Sequence, residues 1–338
     1  MKELAAHYKK LADNIMRSAQ LAAALEVSGW PKPGNVHRTA EFEDTTFEQF
    51  IAGSVALGPQ AREAALRGIE AGLGRIGLEE VRVGEIIDAM IGDIMAWHRG
   101  GNTHLGTSLL FVPLSISAGY TFACDSRHDL SKLRRNAARV MRATTVRDAL
   151  KFMEALKKAS PAGLGRLSDK NLPDLSKNDS RRMIVRKGLT LYDIMEASSS
   201  WDNVGKEWAT GMEISFRHGF PTWSRTKKET GSVNVATVQT FLTILSRFPD
   251  TLIARKVGME KTEDVRKAVS IGFAKASQVS ERASKILAIG GAKTREGIDA
   301  LRKFDRSLRA KGGRLNPGTT ADLTSSSIMV ALLSGERP

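Results

Sequence analysis

Apolar residues recur at intervals of three and four along most of the chain, the spacing that places them on one face of an α-helix. No convincing segment shows the strict alternation that predicts a β-strand. The first helical segment covers 2–27, and the prolines at 31 and 33 prevent it from continuing. The pattern therefore predicts an all-α protein, without the strand–helix alternation of a doubly wound nucleotide-binding fold.

Breaks in this pattern divide the rest of the chain into further helices. Residues 45–48 resemble a capping box that opens the second helix, and Pro59 suits the start of a third that ends near Gly72. Later helices are predicted over 80–98, 129–143, 144–158, 181–200, 203–217, 232–248, 258–288, 293–311 and 319–335. Segment 160–180 is irregular and is the one candidate linker. The prediction is a single large helical bundle over 1–338.

Residues 103–124 carry no charged side chain apart from the mostly neutral His104, and their number approaches that of a membrane span. Pro113 and several Ser, Thr and Gly residues make the segment too polar for a span, and no second such segment follows. We therefore predict a fully buried central helix of the bundle and no contact with a membrane.

The composition is that of a folded globular protein, with 41% hydrophobic and 26% charged residues. The single cysteine, Cys124, rules out a disulfide framework, a cysteine-rich zinc site and an iron–sulfur cluster. The start, Met1 to Leu4, lacks the apolar run of a signal peptide, so we expect a cytoplasmic protein. Whether the chain forms a homo-oligomer stays open.

The formal net charge of +14 arises in two regions, with 17 basic and 7 acidic residues in 125–187 and 16 and 8 in 250–315. Such an excess indicates a nucleic-acid surface or a pocket for a polyphosphate, unless it only solvates helix faces. Aromatic residues do not alternate with the basic ones, as a surface for single-stranded nucleic acid would require. The charge therefore favours an anionic small molecule over nucleic acid.

Polar residues cluster where helices end, and the first cluster spans 26–44. Its loop at 31–38, stiffened by Pro and Gly, offers a Lys, a His and an Arg that could donate to a phosphate. Glu41, Glu43 and Asp44 follow and could hold Mg²⁺. A plain connection between helices, with charges on its surface, explains the same composition equally well.

The second cluster, residues 100–104, lies directly before the predicted central helix. Its glycines permit close approach of a ligand to the backbone, and a helix N-terminus favours an anion. Asn102 or Thr103 could instead simply cap the helix. Residues 34–37 and 101–104 share the pattern Gly-Asn-x-His, which makes both loops candidate ligand contacts.

Three further breaks carry candidate chemistry. Residues 144–148 open a helix in the most basic region, and 200–203 combine an acid and an amide suited to a metal or a hydroxyl. Residues 316–323 place Asp322 in the first turn of the last helix, where a carboxylate also complements the helix dipole. None of these motifs matches a P-loop, a Gly-x-Ser-x-Gly elbow or a His-Glu-x-x-His zinc helix.

Taken in order, these segments resemble the triphosphoribosyl-dephospho-CoA synthase family. The resemblance rests on 26–27 and 31–34, on 101–104 leading into an apolar helix of small residues, on 145–147, on 202–203, and on 317–318 with 321–323. Each piece is short, but five in the same order are much more specific than any one. They extend over 20–335, nearly the whole chain.

The resemblance implies an all-helical transferase of cofactor biosynthesis that joins the ribose of ATP to a hydroxyl of dephospho-CoA and releases adenine. Such a reaction builds positive charge on the ribose, needs a base for the hydroxyl, and keeps a triphosphate bound with Mg²⁺. The carboxylates carried over for catalysis are Glu26, Asp44, Asp202 and Asp322, with Asp44 and Asp202 as Mg²⁺ ligands. The nucleotide and phosphate contacts carried over are Lys32, Asn35, His37, Arg38, Asn102, His104, Arg147 and Asn203.

Departures from the family pattern fall within the same segments. Residues 35–38 replace a Leu-Val-Asp run, 205–207 replace Arg-Gly-Gly, and 318–319 replace a glycine pair. They indicate a divergent branch whose donor or acceptor could differ, for example one that acts on a pterin-type precursor. A basic helical nucleic-acid-binding protein without catalysis is the second alternative. It predicts basic residues on one open face, whereas a transferase predicts them around a concave site with Asp202 and Asp322.

Overall fold

The computed structural model describes residues 2–124, 129–159, 166–168, 172–174, 179–310 and 312–338. These residues form helices and no β-strand, which confirms the all-α prediction. The α-helices are α1 (Lys2–Ser28), α2 (Phe47–Ala56), α3 (Gly58–Gly72), α4 (Val83–Ala96), α5 (Leu105–Cys124), α6 (Leu130–Arg142), α7 (Val146–Ala159), α8 (Ser180–Lys187), α9 (Leu191–Ser198), α10 (Asn203–Thr210), α11 (Phe220–Thr230), α12 (Val233–Arg247), α13 (Thr251–Gly258), α14 (Val265–Ala288), α15 (Arg295–Arg309) and α16 (Gly318–Leu333). Short 3₁₀-helices lie at Leu78–Val81 and Gly291–Lys293, and a π-helix lies at Ser215–Gly219.

α5 is the buried central helix that its uncharged sequence predicts. A Cβ atom on Gly68 of α3 would lie 2.1 Å from the Ile116 oxygen, and one on Gly119 would lie 2.2 Å from the Ala65 oxygen. The two glycines therefore let the backbones of α3 and α5 touch. α1, α6 and α16 also pack against α5. Among the described helices it alone has the length and apolar composition of a membrane span, and 83% of that stretch is buried inside the protein.

Helix starts with a strong local signal agree with the sequence prediction to within one or two residues. Pro59 lies in the first turn of α3, and the last helix begins directly after Pro317. The second helix differs by one residue, because Thr46 caps α2 and forms the capping box with Gln49. The predicted box, Thr45 with Glu48, is therefore wrong in register.

Predicted helices are interrupted where the backbone enters the left-handed region. The predicted helix over 181–200 is two helices, α8 and α9, separated at Gly188 with φ 66°. The one over 203–217 breaks at Gly211 with φ 62°, and Arg82 with φ 61° delays the start of α4. The sequence pattern does not predict α11 or α13, and the predicted helix over 258–288 begins only at Val265.

Two hydrophobic clusters form the core. The larger one joins α1, α3, α4, α5 and α16, and the smaller one lies among α12, α13, α14 and α15. α12 contributes to both, with Ala236 in the larger cluster and Phe241 in the smaller. Of the predicted linker over 160–180, residues 160–165, 169–171 and 175–178 lie outside the described residues. One domain over 1–338 stays a prediction.

Candidate active site

A cavity of about 960 Å³ opens where the predicted loops meet. The backbone N–H of Gly101 donates to the Asp44 oxygen at 3.3 Å, and the Asn35 side chain donates to the Asn316 side chain at 2.8 Å. These contacts join the first, second and last of the predicted loops. Seven of the predicted site residues line the cavity: Glu26, Asn35, Asp44, Asn102, His104, Asp202 and Asp322.

Asp322 reaches the cavity from the second turn of α16, not the first turn as the sequence predicts, because α16 begins at Gly318. Its Oδ1 accepts a hydrogen bond of 2.7 Å from the Thr107 hydroxyl at the start of α5. A Cβ atom on Gly106 would lie 2.1 Å from Asp322 Oδ2, so a side chain there would displace the carboxyl group. Burial, and to a smaller extent the nearby charge of Glu26, raise the pKa of Asp322 to about 7.

Glu26 and Lys32 form a buried ion pair near Asp322. Lys32 Nζ donates to the Glu26 carboxylate and, at 3.0 Å, to the Glu26 backbone oxygen. The Lys32 side chain is fully buried, and Nζ lies 5.8 Å from the centre of the Phe241 ring. Burial raises the pKa of Glu26 and lowers that of Lys32, and their mutual attraction opposes both shifts. Glu26 lines the cavity and Lys32 does not, so Lys32 stands behind Glu26 instead of facing a phosphate.

Asp202 lines the cavity and also caps α10. Its Oδ1 accepts from the backbone N–H groups of Val204, at 2.7 Å, and Gly205, at 3.2 Å. Asn203 does not line the cavity, because its side chain donates to the Pro249 oxygen at 3.0 Å. The first residue of this predicted pair is therefore placed to meet a ligand, and the second joins α10 to the segment before α13.

The two Gly-Asn-x-His loops differ in what they bring to the cavity. Asn102 caps α5 by accepting from the Leu105 N–H at 2.9 Å, and His104 pairs through Nε2 with the Phe50 oxygen at 3.0 Å. Burial lowers the pKa of His104 to about 4, so this ring is neutral at physiological pH. In the other loop Asn35 lines the cavity, whereas His37 pairs with Asp305 at 3.3 Å outside it.

Arg38 and Arg147 lie away from the cavity. Arg38 is exposed and donates to the Ser28 oxygen at 2.6 Å. Arg147 is the second residue of α7. Its side chain is 57% exposed and lies 3.7 Å from the Glu85 carboxylate. The structure therefore does not bring these two predicted phosphate contacts to the other site residues.

Three cations on the cavity wall escape the sequence analysis: Arg255 and Lys256 of α13, and Arg309 of α15. Arg309 bonds to Asp305 at 2.8 Å and donates to the backbone oxygens of Asn35, Ala40 and Glu41, so it organises the first loop. Arg255 and Lys256 lie in the last turn of a helix that the apolar pattern does not reveal. The available signal was the capping residue Asp250, which marks where α13 begins.

The wall formed by α7 and α9 is apolar. Phe152 and Leu156 of α7 face the cavity together with Ile194 and Met195 of α9, and Trp201 continues the same surface. Apolar walls next to a few charged groups are typical of sites for small organic ligands. The cavity therefore offers separate surfaces to charged and uncharged parts of a ligand.

The described residues contain no group of three His, Cys, Asp or Glu side chains that could hold a metal ion. Asp44 is exposed and Asp202 has one oxygen committed to its helix cap. Mg²⁺ commonly takes only one or two protein carboxylates when a substrate phosphate supplies further ligands. The residues present therefore fit a Mg²⁺ ion that arrives with a phosphate, and do not fit one held by protein alone.

Comparison with known proteins gives one consistent family. A family model described as CitG, ATP:dephospho-CoA triphosphoribosyl transferase, matches residues 12–338. The 2-(5''-triphosphoribosyl)-3'-dephosphocoenzyme-A synthase of Klebsiella pneumoniae is 24% identical over 316 residues, which cover 92% of this chain and 88% of that protein. The crystal structure of a protein described as a triphosphoribosyl-dephospho-CoA synthase, from Archaeoglobus fulgidus, is similar with a TM-score of 0.56 and 25% identity. It covers 82% of this chain and 99% of that one.

Proposed function

Because the chain belongs to the ATP:dephospho-CoA triphosphoribosyl transferase family, we propose that its cavity transfers the triphosphoribosyl group of ATP to a hydroxyl of dephospho-CoA. The bond between ribose C1′ and adenine breaks, and a bond between C1′ and the acceptor oxygen forms. The acceptor hydroxyl gives up one proton and the released adenine takes one up, so the reaction needs no further reactant.

The observation that carries this proposal is the pair of carboxyl groups, Glu26 and Asp322, which we call the carboxylate wall. Asp322 is assigned as the base, because a pKa of about 7 lets it accept a proton near neutral pH. The hydrogen bond from Thr107 fixes the orientation of its carboxyl group. Glu26 is assigned to stabilise the positive charge that develops on the ribose as adenine leaves.

The departing adenine needs a hydrogen bond or a proton. His104 is poorly suited to supply a proton, because it is neutral and its Nε2 already pairs with the Phe50 oxygen. Asn102 uses its side-chain oxygen to cap α5, which leaves its amide nitrogen to donate to a ligand. We therefore assign Asn102 to the nucleotide and His104 to the support of the loop.

Mg²⁺ enters this proposal together with the triphosphate. Asp44 and Asp202 would supply its protein ligands, since both carboxylates line the cavity. When bound, the ion neutralises part of the phosphate charge. This assignment predicts that the ion binds weakly to the free protein and much more strongly in the presence of ATP.

Of the nine positions that depart from the family pattern, five lie outside the cavity and four line it. Glu207 of α10 is buried, and its carboxylate accepts from the N–H groups of Ile214 and Ser215 at 2.8 and 2.7 Å. His37 and Arg38 also lie outside, whereas Asn35, Val36 and the pair 318–319 line the cavity. Dephospho-CoA is preferred to a pterin-type precursor because it is the acceptor of the family to which the chain belongs.

Transfer is also favoured over nucleic-acid binding. Arg255, Lys256 and Arg309 line the same cavity as Asp202 and Asp322, the arrangement that a transferase predicts. Carboxylates at the centre of a basic site would repel a nucleic-acid backbone. All three cations belong to the basic region 250–315, so a part of the charge excess that first suggested nucleic acid lies in the cavity.

The test is to incubate the protein with ATP, Mg²⁺ and dephospho-CoA and to quantify adenine and the triphosphoribosylated product by mass spectrometry. The proposal predicts adenine release that requires both substrates and equals product formation. Adenine release with a pterin-type acceptor alone would favour the alternative acceptor. No release with any acceptor, together with salt-sensitive binding to DNA, would overturn the transferase proposal.

A further inference from the structure

Arg255 places a guanidinium group in the cavity wall, and it has no ion-pair partner among the described residues. Its Nε atom is buried, and no described residue forms a hydrogen bond with it. Asp202 and Asp250 are the carboxylates whose charges act on it, and neither is within ion-pair distance. Because burial strips water from a cation, such a group is costly unless an anion reaches it.

The two nearby carboxylates are already committed elsewhere. Asp250 accepts four hydrogen bonds, from the N–H groups of Leu252 and Ile253 and from the N–H and hydroxyl of Thr320. Asp202 uses Oδ1 to cap α10. Neither is free to swing fully towards Arg255, so the protein itself does not supply the missing anion.

Lys256 adds a second positive charge on the same turn of α13. Its Nζ donates to the Gly313 oxygen at 3.2 Å, and among the described residues no ion pair holds it. Asp44 is the carboxylate that acts on Lys256 most strongly, and its backbone oxygen accepts a hydrogen bond from the Gly101 N–H. Two adjacent cations, one of them without a partner at its buried nitrogen, match the charge of a phosphate chain.

We propose that Arg255 and Lys256, the basic wall, form the subsite that binds the phosphate chain of a nucleotide substrate. The inference rests on the proposed function for the source of that chain, which is the triphosphate of ATP or the diphosphate of dephospho-CoA. The guanidinium group of Arg255, whose Nε has no hydrogen-bond partner among the described residues, binds phosphate oxygens, and Lys256 adds a point charge. The phosphate chain is thereby held on α13 while the sugar meets the carboxylate wall.

Binding of inorganic triphosphate tests the subsite directly by isothermal titration calorimetry. Compared with the wild type, Arg255→Gln should weaken binding by at least about tenfold, because it removes a charged hydrogen-bonding group from the anion. Lys256→Gln should weaken it by a smaller factor. The matched control is Arg75→Gln, which removes the same charge from an exposed ion pair with Glu70 outside the cavity and should leave binding unchanged.

The melting temperature of the free protein separates ligand binding from a structural role. Since no described residue forms an ion pair with Arg255, Arg255→Gln should leave the melting temperature of the free protein unchanged or raise it. The same substitution should abolish the increase in melting temperature that triphosphate produces. A large loss of stability in the free protein, with triphosphate affinity intact, would overturn the proposal. Unchanged triphosphate affinity in both Arg255→Gln and Lys256→Gln would overturn it as well.

The two sources are distinguished by titrating ATP and dephospho-CoA separately. If Arg255→Gln loses affinity for ATP alone, the proposal is supported and the subsite is assigned to the triphosphate of the donor. If this variant loses affinity for dephospho-CoA alone, the proposal is also supported and the subsite is assigned to the diphosphate of the acceptor. The triphosphate titration needs no turnover, so it tests the subsite independently of adenine release. Either the subsite proposal or the proposed function can therefore fail while the other stands.

Discussion

Thr320 donates both its backbone N–H and its hydroxyl to one oxygen of Asp250, each at 2.7 Å. The other oxygen of Asp250 accepts from Leu252 and Ile253 and thereby caps α13. One buried carboxylate therefore fixes α13, which carries the basic wall, against α16, which carries Asp322. The relative position of the two walls depends on this contact.

Asp250→Ala should lower the free energy of unfolding by about 2–4 kcal/mol, because it removes a helix cap and leaves the Thr320 donors without their partner. Urea denaturation measures this loss. Asp299→Ala, which removes an exposed carboxylate paired with Arg302, is the control and should change it by less than about 1 kcal/mol. Equal stability of the two variants would contradict the role given to Asp250.

Lys32→Met should destabilise the protein by about 3–5 kcal/mol, because it leaves the Glu26 carboxylate buried without a counter-charge. The double variant Lys32→Met, Glu26→Gln should recover part of that loss, since it removes the unpaired charge as well. Denaturation of the wild type, both single variants and the double variant gives the coupling energy. Additive losses would contradict a direct ion pair between the two side chains.

Gly106→Ala should reduce turnover with little effect on folding. The added Cβ atom would lie 2.1 Å from Asp322 Oδ2, so the carboxyl group must move away from Thr107. Displacing a catalytic group by about 1 Å can cost on the order of 100-fold in rate. The matched control is Gly92→Ala, where the added atom meets nothing within 4 Å. The comparison of kcat for the two variants checks this, and equal values would contradict the placement of Asp322.

The pKa of Asp322 makes a signed prediction about stability. The folded protein raises it from 3.8 to about 7, so the folded state binds a proton more tightly than the unfolded state does. The stabilisation from this proton is complete below pH 3.8 and is lost as pH rises through 7. Asp322→Asn mimics the protonated carboxyl group, so this variant keeps the stabilisation as pH rises.

Denaturation from pH 5 to pH 8.5 tests that sign. The wild type should lose stability relative to Asp322→Asn as pH rises, and the difference should level off above pH 7. Glu207, whose pKa burial also raises to about 7, is present in both proteins and cancels. A difference that does not change with pH would contradict the shifted pKa.

The sequence predicts most of the helices because their apolar faces and their capping residues are local signals. It predicts α5 as the central helix from the absence of charge over 103–124. It does not predict the break at Gly188, because a positive φ at a glycine leaves no trace in the apolar pattern. The short helix α13 escapes for a related reason, since eight residues hold too few apolar positions for a pattern to show.

The candidate site is predicted well where a residue type has one plausible use and poorly where it has two. Asp202 and Asp322 follow helix breaks, and both reach the cavity. Lys32 looks like a phosphate contact in the sequence, yet it pairs with Glu26. The sequence does not predict this pair, because only the fold reveals that both side chains are buried. Arg255 is one of many arginines in a basic region, and only its buried, unpaired Nε sets it apart.

The central claim is that Asp322 acts as the base in a triphosphoribosyl transfer at this cavity. The most direct measurement is the rate at which the wild type and Asp322→Asn form product from ATP, Mg²⁺ and dephospho-CoA, with Asp299→Asn as the matched control. The proposed role predicts a loss of at least about 100-fold in Asp322→Asn, with its melting temperature retained and the control unaffected. A rate in Asp322→Asn within about threefold of the wild type, well short of the loss expected for a general base, would contradict it.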